Sequence, residues 1–132
     1  MVSERTIVVD VETEPGAGDA PAAEGWRAAV AAAIDETVGE REIDADARYQ
    51  IEVYFRLPER GDSPPGHLND LVATTIDALG GAIGWCPRRG RPHADDARVD
   101  RLVAGKRTAR GGETLGARVR VTEMPRGTGR PA

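Results

Sequence analysis

Apolar and polar residues alternate over residues 5–12, with Ile7, Val9 and Val11 on one side and Val8, Asp10 and Glu12 on the other. A period of two is that of a strand with one face in a core. Residues 48–57 repeat it more cleanly, setting Tyr49, Ile51, Val53, Phe55 and Leu57 against Arg48, Gln50, Glu52, Tyr54 and Arg56. A third such stretch, Ala117, Val119 and Val121 against Arg118, Arg120 and Thr122, follows the turn signal Gly111-Gly112. Residues 99–107 alternate imperfectly, which predicts a strand with both core and ligand-facing positions.

Two other stretches carry the helical period. Trp26, Val30, Ala33, Ile34 and Val38 fall at three- and four-residue steps over residues 22–38, behind Pro21 and closed by Gly39. In the segment from Gly66 to Gly80, Leu68, Leu71, Val72, Thr75, Ile76 and Leu79 form an inward stripe, and His67, Asp70, Thr74 and Asp77 lie together on the other side. Gly80-Gly81 is expected to cap this helix, and residues 82–85 to make a short hydrophobic return. Residues 40–46 are expected to be an acidic loop, residues 58–66 a turn-rich connection, and residues 86–94 an exposed basic loop. The predicted order is β-α-β-α-β-β, an α+β fold with two helices on one face of a small mixed sheet. One domain is expected over residues 1–124, followed by a flexible C-terminal tail at 125–132.

Composition narrows the class. The 132 residues are 39% apolar and 30% charged, globular values, and no apolar run is long enough to cross a bilayer. Without a leader pattern, and with Cys86 the sole cysteine, a cytoplasmic protein is expected. The net charge of −4 is uneven: residues 1–46 hold three Lys/Arg against twelve Asp/Glu, a net of −9. Residues 85–110 hold eight against three, a net of +5. Such a distribution permits a polyanion-binding face on an acidic protein, and equally a solvated Arg-rich segment paired with the acidic half. His67, Cys86 and His93 lack the paired spacing of a zinc site, and no Gly-rich nucleotide fingerprint is present.

Chemistry concentrates at the start of the second helix and at Asp95-Asp96. The order of elements, the helix ending Asp77-Ala78-Leu79-Gly80, the run Asp95-Asp96-Ala97-Arg98-Val99-Asp100 before a strand ending in Lys106, and Gly111-Gly112 with Val119-Arg120-Val121-Thr122-Glu123-Met124 resemble the RusA-like Holliday junction resolvases. The likeness covers roughly residues 5–124 and is most specific over 67–124. It implies a homodimeric, magnesium-dependent endonuclease that cuts branched DNA in recombination and repair. Arg88, Arg89, Arg91, Lys106, Arg107 and Arg110 are then expected to contact phosphates, because the resemblance places them near the Asp-Asp edge.

The chain departs from the family pattern where the metal would sit. That pattern opens the helix with Asp-x-Asp-Asn-Leu-x-Lys. Here His67 and Asn69 stand in place of the two Asp, Asp70 in place of Asn and Ala73 in place of Lys; Leu71 and the Asp95-Asp96 pair are kept. Histidine is a poor magnesium ligand and asparagine a neutral one. The expectation is therefore a DNA-binding family member with an altered metal site. If it is active, Asp70, Asp95 and Asp96 hold Mg2+ or Mn2+, and Asp70, Asp96 and His67 carry the catalysis. The alternative is a catalytically dead dimeric module acting through a protein partner. For the helix start itself, the structural reading is that Asn69 or His67 caps the helix and Asp70 complements its dipole.

Overall fold

The strict alternation of residues 49–57 becomes β2 (Tyr49–Leu57), in which every second side chain is buried and the sheet's apolar face begins. The computed structural model describes residues 6–17, 21–39, 46–59, 67–88 and 91–124. The expected loop at 40–45, most of the turn segment before the second helix, Arg89 and the tail at 125–132 lie outside them. The other elements are β1 (Thr6–Val11), α1 (Pro21–Val38), α2 (Leu68–Asp77), a four-residue helix α3 (Gly80–Ile83), β3 (Trp85–Arg88), β4 (Arg91–Ala94), a single 3-10 turn (Asp96–Arg98), β5 (Val99–Thr108) and β6 (Gly116–Glu123).

Four strands form one mixed sheet in the order β1-β6-β2-β5. β6 runs antiparallel to both β1 and β2, whereas β5 runs parallel to β2, as a strand must that returns to the sheet through a helical crossover. Among the described residues β5 pairs with β2 alone and is an edge of the sheet. The inward residues Ile7, Val9, Val11, Ile51, Val53, Phe55, Leu57, Ala117, Val119 and Val121 make one buried layer. Trp26, Val30 and Ile34 of α1 and Leu71, Val72 and Thr75 of α2 cover it. The α+β architecture expected from the pattern is the one observed, with a short helix and a hairpin added.

The two helices are joined inside the core. The Trp26 indole Nε1 donates to Thr75 Oγ1 at 2.9 Å, and the Thr75 hydroxyl donates to the Leu71 carbonyl at 2.7 Å. Both side chains are fully buried, and the Trp26 ring packs against Phe55 at a centroid distance of 6.2 Å.

Local expectations fail at three points in and after α2. Thr74 is buried rather than outward, because its hydroxyl turns back to the Asp70 carbonyl at 2.9 Å and needs no water. Gly80-Gly81 does not end a helix; it starts α3, where the Trp85 indole lies so close over Gly80 that a Cβ there would fall inside the ring. The stretch expected to be a basic loop is a two-stranded hairpin, with Trp85 opposite Ala94 and Arg88 opposite Arg91. Backbone pairing satisfies donors and acceptors that a loop would leave to solvent, which the charge of the segment did not foreshadow.

Candidate functional site

Helical geometry puts Asn69, Ala73 and Asp77 on one line of α2, each four residues from the next, beside a second line of Leu68, Val72 and Ile76. Both lines face β5, whose alternate residues Leu102 and Ala104 form the opposite wall. Asp96, on the 3-10 turn that leads into β5, joins the same lining. The result is a groove of about 400 Å3 with an apolar floor and three polar groups, Asn69, Asp77 and Asp96. Leu102 is 45% exposed beside it, and the outer edge of β5 runs along it.

The residues expected to form the site are only partly brought together. Asp96 lines the groove. Asp70 is exposed and outside its lining; the carboxylate that α2 contributes is that of Asp77. Of the pair anticipated around Asp70 and Asp96, the groove lining includes Asp96 but not Asp70, and Asp77 lines it as well. The signal was available, since Asp77 is eight residues from Asn69 and so two turns along the same line. His67 occupies the N-cap position in extended backbone conformation, but its side chain makes no capping hydrogen bond. Asp95 is engaged elsewhere: Arg98 Nε donates to its carboxylate at 2.9 Å. Gly84, at φ 99, makes room for that guanidinium, and its carbonyl accepts the Asp95 N–H at 2.8 Å. Among the described residues, no group of three or more His, Cys, Asp or Glu is placed to hold a metal ion.

The expected phosphate contacts divide as well. Arg88 and Arg91 stand opposite each other on the β3–β4 hairpin, with Arg89 outside the described residues. Lys106 is exposed on β5, two residues beyond Ala104 on the side of the strand that walls the groove. Arg107 and Arg110 belong to a different place, the end of β5 and the turn that follows it. There Arg107 makes a two-pronged pair with Glu113, 2.6 Å on each prong, and the Arg110 N–H donates to the same carboxylate at 2.7 Å. The Arg107 hydrogen bonds, with the Arg110 N–H second, hold the Glu113 carboxyl down at about 2; the partner guanidinium is raised in turn. The Arg48 guanidinium is raised likewise by its hydrogen bonds to Asp100 at the other end of β5.

The sheet face away from the helices holds a second concavity. Strand register sets Asp10, Arg118, Tyr54 and Gly105 abreast in one row and Val8, Arg120, Glu52 and Val103 in the next. Sequence alternation marked Val8, Asp10, Glu52, Tyr54, Arg118 and Arg120 as outward without marking them as a site. No family model matches the chain, and no curated protein matches it. Among the described residues, no helix is long and apolar enough to cross a membrane.

Proposed function

We propose that this protein is a RusA-like DNA-binding protein in which the groove between α2 and β5 corresponds to the nuclease cleft, with its metal-binding set dismantled. One observation carries the reading. Asn69 and Ala73 on α2 and Asp96 beyond the hairpin, far apart in sequence, line one groove. They are the positions where the resemblance puts a metal carboxylate, a lysine and a second metal carboxylate. Their meeting in one groove supports the reading, although His67, at the pattern's first carboxylate position, is not part of the lining.

The donor set does not fit the family's metal. A magnesium nuclease needs several hard anionic oxygens to hold the ion and offset the charge developing on phosphate. Asn69 supplies a neutral oxygen, Ala73 none, and His67 a nitrogen. We therefore derive no cleavage step, and the function proposed is binding of branched or duplex DNA by a homodimer. Lys106 beside the groove and the arginines of the hairpin would supply the phosphate contacts.

A gel-retardation series with a four-way junction and a linear duplex of the same sequence tests this. Binding is expected at low salt, with affinity falling linearly with salt on logarithmic axes; each neutralised contact, as in Lys106→Gln or Arg91→Gln, lowers that slope by about one. No retardation of either DNA at low salt would sink the reading. A protein partner is the second reading, favoured by one feature: the open edge of β5, with Leu102 exposed beside an apolar groove, could accept an extended segment as a further strand. Such binding would be nearly insensitive to salt.

A further inference from the structure

A concavity of about 730 Å3 lies on the sheet face opposite the helices and is built of different chemistry from the groove. Its floor is Gly105, which stands beside Tyr54 in register and offers no side chain. Tyr54 is 46% exposed and flanks this floor on one side; Arg107 follows on the other, with Arg56 beside it. Arg118 is next to Tyr54 across the β2–β6 ladder.

The cations here differ in their commitments. Arg56 holds Asp10 at 2.8 Å and the Thr114 carbonyl at 2.9 Å, and Arg107 holds Glu113. Arg118 is exposed and, among the described residues, makes no ion pair or side-chain hydrogen bond. The lining therefore keeps an excess of positive charge in a protein whose net charge is −4. A flat aromatic ring at the edge of an open floor, next to an uncommitted guanidinium, is complementary to a flat ring that carries a phosphate.

We infer that this face is a nucleotide site. A base stacks on Tyr54 over Gly105 and its phosphate meets Arg118. The ligand chemistry is that of a phosphorylated nucleoside, whether free in solution or exposed within a single DNA strand. The inference does not rest on the α2–β5 groove, which lies on the opposite face of the sheet.

Gly105 offers a clean test. A Cβ added there would meet Tyr54 Cδ1 at 3.5 Å, an ordinary contact, so Gly105→Val fills the floor with a residue that strands favour. The probes are AMP by titration calorimetry and a fluorescein-labelled dodecathymidylate by anisotropy, with thermal unfolding of each variant as the control. Wild type is expected to bind at least one probe, and Tyr54→Ala, Arg118→Gln and Gly105→Val each to weaken it about tenfold or more, with Gly105→Val unfolding at or above the wild-type temperature. Binding of AMP identifies a free nucleotide as the source, and binding of the oligonucleotide alone identifies a strand. Asp96→Asn, on the opposite face of the sheet, is expected to leave the AMP affinity unchanged, which separates this site from the groove. The proposal is overturned if neither probe binds at millimolar concentration, or if Gly105→Val and Tyr54→Ala bind as well as wild type. It is also overturned if inorganic phosphate displaces AMP with equal affinity, or if sedimentation shows a dimer that Tyr54→Ala or Arg118→Gln dissociates.

Discussion

Thr75→Val isolates one buried hydrogen bond that locks α1 to the helix carrying the groove. Valine keeps the branched shape but offers no acceptor, so the Trp26 indole N–H, fully buried and donating to Thr75 Oγ1 at 2.9 Å, would lose its partner. A buried donor left unsatisfied costs about 1–3 kcal/mol. The methyl that replaces the hydroxyl is buried in turn and offsets about 0.8 kcal/mol. The Leu71 carbonyl loses the hydroxyl bond but stays in the α-helical ladder, so its loss is small. The expected net cost is about 0.2–2 kcal/mol, against the ~5–15 kcal/mol that holds a typical domain together. Urea denaturation followed by tryptophan fluorescence should show the midpoint falling by roughly 0.1–1 M with an unchanged slope. A double-mutant cycle makes the attribution specific. In the Trp26→Phe background there is no indole donor to strand, and Thr75→Val should there cost close to nothing. An equal cost in both backgrounds would refute the reasoning and assign the effect to packing around Thr75 instead.

Three further outcomes are expected. Asn69→Asp adds a third carboxylate to the groove lined by Asp77 and Asp96, and should confer manganese binding, readable by calorimetry, that wild type lacks or shows far more weakly; no gain would mean the three side chains do not converge. The Glu113 carboxyl, held at about 2 against an ordinary 4.5, is lowered in the folded state, so its contribution is present above pH 4.5 and lost as pH falls toward 2. An NMR titration of Glu113 should show this, and Arg107→Gln should move the titration upward. Gly80→Ala drives a methyl into the Trp85 indole and should displace the ring, with a red-shifted emission and a loss of about 1–3 kcal/mol; emission and stability at wild-type values would contradict the close packing found there.

The alternation of residues 49–57 and 117–122 and the three- and four-residue steps around Trp26 and Leu71 were enough for β2, β6, α1, α2 and the buried face, though not for α3 or the β3–β4 pair. A strand or helix repeats its own geometry locally, and burial on one side writes that period into the chain. The same periodicity put Tyr54, Arg56 and Arg118 on the outer face. Strand order and register it could not supply: that Arg118 stands between Asp10 and Tyr54, and Tyr54 beside Gly105, follows from pairings between segments that lie as much as 108 residues apart, as Asp10 and Arg118 do. At the groove the sequence marked Asp96 and the start of α2, but only the packing of α2 against β5 decided which carboxylate turns inward, Asp77 rather than Asp70. Charge misled at residues 86–94, because backbone pairing and the seat of Trp85 on Gly80, not the side-chain charges, settle that segment as a hairpin. Composition and period report on each residue's own surroundings; a site is a relation between residues, and that relation is made by the tertiary fold.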